Sequence, residues 1–101
     1  MAAYPLRVVW METERQAGDA PVQMMVSVSK RHFKHAVNRN RVKRQVREAY
    51  RQAKQPLFDQ LEATPERAIL VAFIWLSDEL CETALVSKRV QRLVRMLTEK
   101  L

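Results

Sequence analysis

Nine apolar residues in a row, Ala68 to Leu76 (AILVAFIWL), must leave water when this chain folds, and few architectures can hide them. The run is far shorter than the roughly 20 residues that cross a bilayer. Its Ile, Val, Phe and Trp suit an extended strand. Because apolar residues do not alternate with polar ones, the run predicts a strand over residues 67–77 covered on both faces, hence central in its sheet. The flanking sequence supplies the rest. Residues 6–13 read as a strand, with Leu6, Val8 and Trp10 on one face. Residues 14–21 are polar, contain Gly18, Asp19 and Pro21, and read as a loop. Residues 22–29 alternate, Val22, Met24, Val26 and Val28 against Gln23, Met25, Ser27 and Ser29, which predicts a half-buried strand antiparallel to the first. Residues 30–35 form a basic connection, and residues 36–55 have no Gly or Pro and are rich in helix formers. Pro56 sets a boundary, residues 57–61 add a helical turn, and residues 62–66 make a loop around Thr64-Pro65. A second helix runs over about residues 82–101, after a cap at Ser77 or Asp78, and buries Val86, Val90, Leu93, Val94, Leu97 and Leu101. The order β-β-α-β-α implies an α+β fold, a small mixed sheet packed with helices, in a single domain over residues 1–101.

Several functions are excluded by what the chain lacks. One glycine cannot build a P-loop or a dinucleotide fingerprint. One cysteine makes no internal disulfide, and with two histidines it is a poor zinc set. A lone thiol fits a reducing compartment. MAAYPLRVVW has no basic region followed by a long apolar core, so it is no signal peptide, and a soluble cytoplasmic protein is expected.

Charge is concentrated rather than spread. Residues 30–54 carry ten cations, Lys30, Arg31, Lys34, Arg39, Arg41, Lys43, Arg44, Arg47, Arg51 and Lys54, against one acid, Glu48, for a net +9. The whole chain carries +7, so everything outside that quarter nets −2. A block of this kind attracts a polyanion. At about 100° per residue the helix over 36–55 separates Val42, Val46, Ala49, Tyr50 and Ala53 from Asn40, Lys43, Arg44, Arg47 and Arg51. Arg39 and Arg41 flank the cationic face near the helix N-terminus, whose dipole adds to anion attraction. A membrane-surface helix needs Leu, Phe or Trp on its other face, and this one offers mainly Val and Ala. Arginine outnumbers lysine here, and its planar fork grips phosphate bidentately. Nucleic acid is the favoured partner over lipid, the bland alternative being a solvated helix face.

The stretch Lys30-Arg31-His32-Phe33-Lys34-His35-Ala36-Val37-Asn38-Arg39-Asn40-Arg41-Val42-Lys43-Arg44-Gln45-Val46-Arg47-Glu48-Ala49-Tyr50 resembles the signature of the bacterial ribonuclease P protein component. Ala36, Val37, Arg39, Asn40, Arg41, Lys43, Arg44, Arg47 and Glu48 fill every specified position of its core, A-V-x-R-N-R-x-K-R-x-x-R-E. The resemblance extends over roughly residues 5–101. It implies a ribosomal-protein-like α+β fold in which residues 22–29 and 67–77 pair in parallel through a left-handed crossover, against the general rule. It implies two partners, ribonuclease P RNA and precursor tRNA, with Lys30, Arg31, Lys34, Arg39, Asn40, Arg41, Lys43, Arg44, Arg47 and Arg51 as the RNA-binding residues. Catalysis in the family belongs to the RNA, which also binds the Mg²⁺, while the protein holds the 5′ leader in a cleft on its sheet. Two departures stand out. Phe33-Lys34-His35 replaces a glycine-containing approach to the helix. The family's opening amphipathic helix and short strand have no counterpart, as in a truncated or short member, and the apolar surface so exposed favours self-association.

His32 and His35 invite an acid–base reading, but no carboxylate adjoins them in sequence, so RNA contact or exposure is the expectation. Glu48 is expected to pair with Arg44, Arg51 or Gln52. Tyr4, Trp10, Phe73 and Trp75 are candidate base-stacking groups or core, and Cys81 is expected to be a buried or inert thiol rather than a nucleophile, since no His lies near it in sequence. Lys88, Arg89, Arg92 and Arg95 are either a second RNA surface or ordinary solvation. Four functions compete: a ribonuclease P subunit, which leads; another structured-RNA-binding protein of ribosomal type; a nuclease active alone; and, least favoured, a DNA-binding regulator, since the basic helix has few base-reading groups other than Asn40 and arginines.

Overall fold

The computed structural model describes all residues, Met1–Leu101. Its elements are β1 (Ala2–Ala3), β2 (Leu6–Glu14), β3 (Val22–Ser27), α1 (Ala36–Ala53), α2 (Gln55–Glu62), β4 (Arg67–Trp75) and α3 (Thr83–Lys100). They form a four-stranded mixed sheet, ordered β1-β2-β4-β3, with three helices, an α+β fold. Two small elements join the expected set: β1, which pairs Ala2 with Arg7 and Ala3 with Leu6, and α2, a full eight-residue helix with Pro56 in its first turn. Proline is tolerated there because the first-turn amides have no intrahelical acceptor.

The apolar run does become the central strand. Along β4, Leu6↔Trp75 through Glu14↔Arg67 pair antiparallel with β2, and Val22↔Ile69 through Ser27↔Ile74 pair parallel with β3. Two expectations are corrected. β2 and β3 run in opposite directions, but β4 lies between them, so they are not hydrogen-bonded neighbours. And β4 is covered on one face only. Ile69, Val71, Phe73 and Trp75 are buried, whereas Leu70 is 37% exposed and Ala72 and Ile74 are half-buried. The helices bury one side of the sheet, and Leu70, Ala72 and Ile74 are left on the other, although Ala68 at the start of the run is buried.

Beneath the helices lies one cluster of 22 buried residues. The sheet contributes Leu6, Val8, Val22, Val26, Phe73 and Trp75; α1 contributes Val42, Val46, Ala49 and Tyr50; α2 contributes Leu57 and Leu61. From α3 come Val86, Val90, Leu93, Val94 and Leu97, all five expected, with Leu101 packed at the margin. Tyr50 meets Phe73 edge-on with ring centroids 6.0 Å apart. The expected cap at Ser77 or Asp78 is not used by α3, which starts five residues after Asp78, next to Glu82, with no side-chain cap bond. Ser77 Oγ instead accepts the Glu79 amide at 3.0 Å. The single glycine, Gly18, has φ +88°, a left-handed conformation that closes the β2–β3 turn at low steric cost.

Tyr50 is buried, and its hydroxyl has no hydrogen-bond partner. Burial pushes its phenol up to about 12. The neutral form is therefore favoured in the fold, and the associated stability is present below the unfolded phenol's value near 10 and lost as pH rises from there toward 12. Tyr50→Phe should match or exceed the wild type in stability at pH 7 and show a smaller loss between pH 9 and 11, measured by urea denaturation. In the same assay Phe73→Ala should cost about 3–5 kcal/mol. Met25→Ala, on the uncovered face, should change stability by less than about 0.5 kcal/mol.

Candidate nucleic-acid interface

Helix α1 presents its cations outward because Val42, Val46, Ala49 and Tyr50 are drawn into the core. Asn40, Arg41, Arg44, Arg47 and Arg51 are exposed and Lys43 is half-buried. Asn40, Lys43, Arg44, Arg47, Glu48 and Arg51 line a shallow depression of about 440 Å³ with no hydrophobic group in it. The first turn of α1 contains no acid, and its N-cap, His35, makes no side-chain cap bond. The positive end of the helix is thus left for an anion, next to the exposed Lys30, Arg31 and Lys34.

The ten candidate residues are not equivalent. Arg44, Arg47, Arg41 and Lys43 have no carboxylate within ion-pair distance. Arg51 is held by Glu48 through two bonds, Nη2 to Oε1 at 2.6 Å and Nε to Oε2 at 3.1 Å. The Arg51 guanidinium holds the Glu48 carboxyl below its usual range, with Gln52 adding a hydrogen bond, and Glu48 in turn raises Arg51. Arg39 turns back toward the preceding chain. Its Nη1 donates to the carbonyls of Phe33 at 2.8 Å and Lys34 at 3.0 Å. Its side chain braces the turn that leads into α1, a role that residue type and spacing do not reveal.

The histidine expectation needs correction. A carboxylate does orient His32: Asp78, 46 residues away, accepts from its Nδ1 at 2.7 Å. The parallel pairing explains the meeting, since β3 and β4 end at the same edge of the sheet. Gln45, the buried polar residue of α1 that the helical pattern failed to flag, reaches the same loop. Its Nε2 donates to Cys81 O and Thr83 Oγ1, both at 3.1 Å. No three His, Cys, Asp or Glu side chains converge to hold a metal ion.

The acids gather elsewhere. Glu12 and Glu14 pair opposite Ile69 and Arg67, at the start of β4 and far along the strand from the basic turn that follows β3. Glu66 joins them there. Arg15 and Arg67 lie among these acids, and Arg67 pairs with Glu12 at 3.3 Å. On α3, Lys88, Arg92 and Arg95 are exposed without carboxylate partners, and Arg89 donates to Tyr4 O at 2.9 Å.

A second candidate surface is the uncovered sheet face, where Val9, Met11, Gln23, Met25, Leu70 and Ala72 border a groove of about 370 Å³. Of the aromatic candidates, Phe73 and Trp75 are in the core, Trp10 packs against the core's edge, and Tyr4 is exposed. Phe73 and Trp75 therefore do not serve as stacking groups on that face, and Trp10 is the one strand aromatic that borders the groove. No helix is long and apolar enough to cross a membrane.

The family model described as Ribonuclease P matches residues 2–97. Proteins named Ribonuclease P protein component from two strains of Porphyromonas gingivalis are 48% and 47% identical over 92 residues, each match spanning 88% of this chain and 64% of the relative. One from Chlorobium phaeobacteroides is 60% identical over 37 residues, 37% of this chain and 25% of that protein. The chain thus spans just under two-thirds of the length of the Porphyromonas relatives. No solved structure matches it.

Because Glu48 both neutralises Arg51 and adds a negative charge to the ridge, Glu48→Gln should elute from heparin at higher salt than the wild type. Arg51→Ala should shift elution less than Arg44→Ala, since only Arg44 is unpaired. Equal shifts for the two arginines would show that the Arg51–Glu48 pair does not limit anion binding.

Proposed function

The chain belongs to the ribonuclease P protein family, and on that premise we propose that it is the protein subunit of a ribonucleoprotein that removes the 5′ leader of precursor tRNA. One observation carries the reading: Arg41, Arg44 and Arg47 are exposed on one helix beside the half-buried Lys43, and none of the four is in an ion pair. Such a surface gains little from solvent and much from a folded RNA, whose phosphates are spaced along a backbone that arginine forks engage two oxygens at a time. Residues 1–101 act as one RNA-binding domain, in the cytoplasm, with ribonuclease P RNA as the primary partner and precursor tRNA as the substrate.

Bond cleavage in this scheme belongs to the RNA, which holds the Mg²⁺ ions that activate and stabilise the reacting oxygens. The protein's share is electrostatic and positional. Lys30, Arg31 and Lys34, with the unpaired cations of α1, neutralise phosphates that would otherwise repel one another where RNA helices pack closely. That neutralisation lowers the Mg²⁺ concentration at which the active RNA fold persists. The uncovered sheet face receives the leader, its Val, Met and Leu side chains meeting base faces while Arg7, Gln23 and Ser27 offer polar contacts. The same face is where the chain self-associates when nothing else covers it. A nuclease active by itself is disfavoured. His32 is oriented by Asp78, yet His35, the other candidate, makes no hydrogen bond that would set it up as the complementary acid. A structured-RNA-binding protein of ribosomal type would use the same ridge and is the alternative.

Reconstitution separates the two. Added to a bacterial ribonuclease P RNA, the chain should lower the Mg²⁺ needed to process precursor tRNA; binding without any change in Mg²⁺ requirement would favour the ribosomal-type alternative. RNA affinity should fall steeply with salt, by about 0.7–0.9 in log–log slope per phosphate contacted. Arg44→Ala or Arg47→Ala should weaken binding with an unchanged circular dichroism spectrum, and normal binding by both variants would mean that another surface carries the contact.

A further inference from the structure

The turn between β3 and α1 is tied down at every side except the one that carries its charge. Ser29 O accepts the amides of His32 at 3.1 Å and Phe33 at 3.3 Å, and Ser29 Oγ accepts the Arg31 amide at 3.1 Å. Phe33 is buried in the core, and the Arg39 fork grips Phe33 O and Lys34 O. The remaining tie comes from a distant part of the chain. His32 has only 13% of its side chain exposed, and its Nδ1 meets Asp78 Oδ1, while Asp78 itself is 78% exposed. Lys30, Arg31 and Lys34 are left exposed on this framework.

Asp78 stands in an electrostatically adverse place. A carboxylate beside a cationic turn repels any polyanion that approaches it. Its one hydrogen bond is the one to His32, which joins the loop after β4 to the turn before α1. Ordering flexible side chains before binding removes an entropic penalty that the complex would otherwise carry.

We propose that Asp78 is a positioning residue of the RNA-binding surface: by holding His32 it keeps Lys30, Arg31 and Lys34 at fixed spacing from the α1 ridge. The inference rests on the RNA-binding reading above and deepens it by placing an acid, from outside the basic segment, among the determinants of affinity.

The test exploits a difference in sign. Charge alone predicts that Asp78→Ala binds RNA more tightly, because a negative charge is removed; the latch predicts weaker binding. Binding of a bacterial ribonuclease P RNA transcript to the chain is measured across a salt series for the wild type, Asp78→Ala, Asp78→Asn, His32→Leu and the His32→Leu/Asp78→Ala double variant. Asp78→Ala should bind about three- to tenfold more weakly, the scale of re-ordering one or two long side chains. Its log–log salt slope should flatten by about 0.7–0.9, one phosphate contact. Asp78→Asn, which keeps an acceptor oxygen without the charge, should recover most of the affinity, and the double variant should be no weaker than either single one. Affinity of Asp78→Ala at or above the wild-type value, or additive losses in the double variant, would overturn the inference. Circular dichroism checks folding, and Asp78→Asn carries the comparison if Asp78→Ala is unfolded, because binding as weak as that of His32→Leu would then deny the acceptor's role. Arg44→Ala tells the two readings apart. If it weakens binding while Asp78→Ala does not, only the latch fails; if the wild type itself does not bind the transcript, the RNA-binding reading fails.

Discussion

Parallel pairing of β3 with β4 governs the rest of this molecule. Parallel neighbours cannot be joined by a tight turn, so the chain must travel back along the sheet, and α1 with α2 makes that journey. A helix laid on a sheet has to bury one stripe, which leaves the opposite stripe facing solvent. In α1 the buried stripe is Val42, Val46, Ala49 and Tyr50, and the solvent stripe is the arginine ridge. The same pairing ends both strands at one edge of the sheet. The turn before α1 and the loop before α3 therefore lie side by side, and His32–Asp78 and Gln45–Cys81 join them.

The surfaces that result are chemically distinct. Helices cover one face of the sheet; the other keeps Val9, Met11, Met25 and Leu70 in contact with water. Cations occupy the ridge and the turn before it, and acids collect at the opposite end of β4. Within the cationic region, arginines of equal formal charge have different duties. Arg39 braces backbone carbonyls, Arg51 is neutralised by Glu48, and Arg44 and Arg47 remain free. A net charge counts these alike, although only unpaired, outward guanidinium groups contribute fully to binding a polyanion.

Periodic features were legible without coordinates. The stripe of α3 and the two faces of α1 follow from a 3.6-residue repeat, and the alternation of β3 shows which of its residues face the core. Features set by long-range contact were not. Adjacency in sequence suggested that β2 pairs with β3, but β4, which is made later in the chain, inserts between them. A continuous apolar run suggested cover on both faces, yet hydrophobicity cannot count how many layers are available to provide it. Gln45 drew no notice in the helical pattern, yet it is buried in the structure, where Cys81 O and Thr83 Oγ1 accept from its amide. Asp78 read as a helix cap because it precedes α3, and its actual partner is 46 residues upstream.

By itself, the sequence determined the class of fold, the location of the positive charge and the motif that places the chain in its family, since each depends on local order or on residue identity. Tertiary structure alone decided which arginines are free, which sheet face is open and which acid orients His32. Those depend on distances between groups far apart along the chain, and such distances exist only once the parallel strands have brought their ends together.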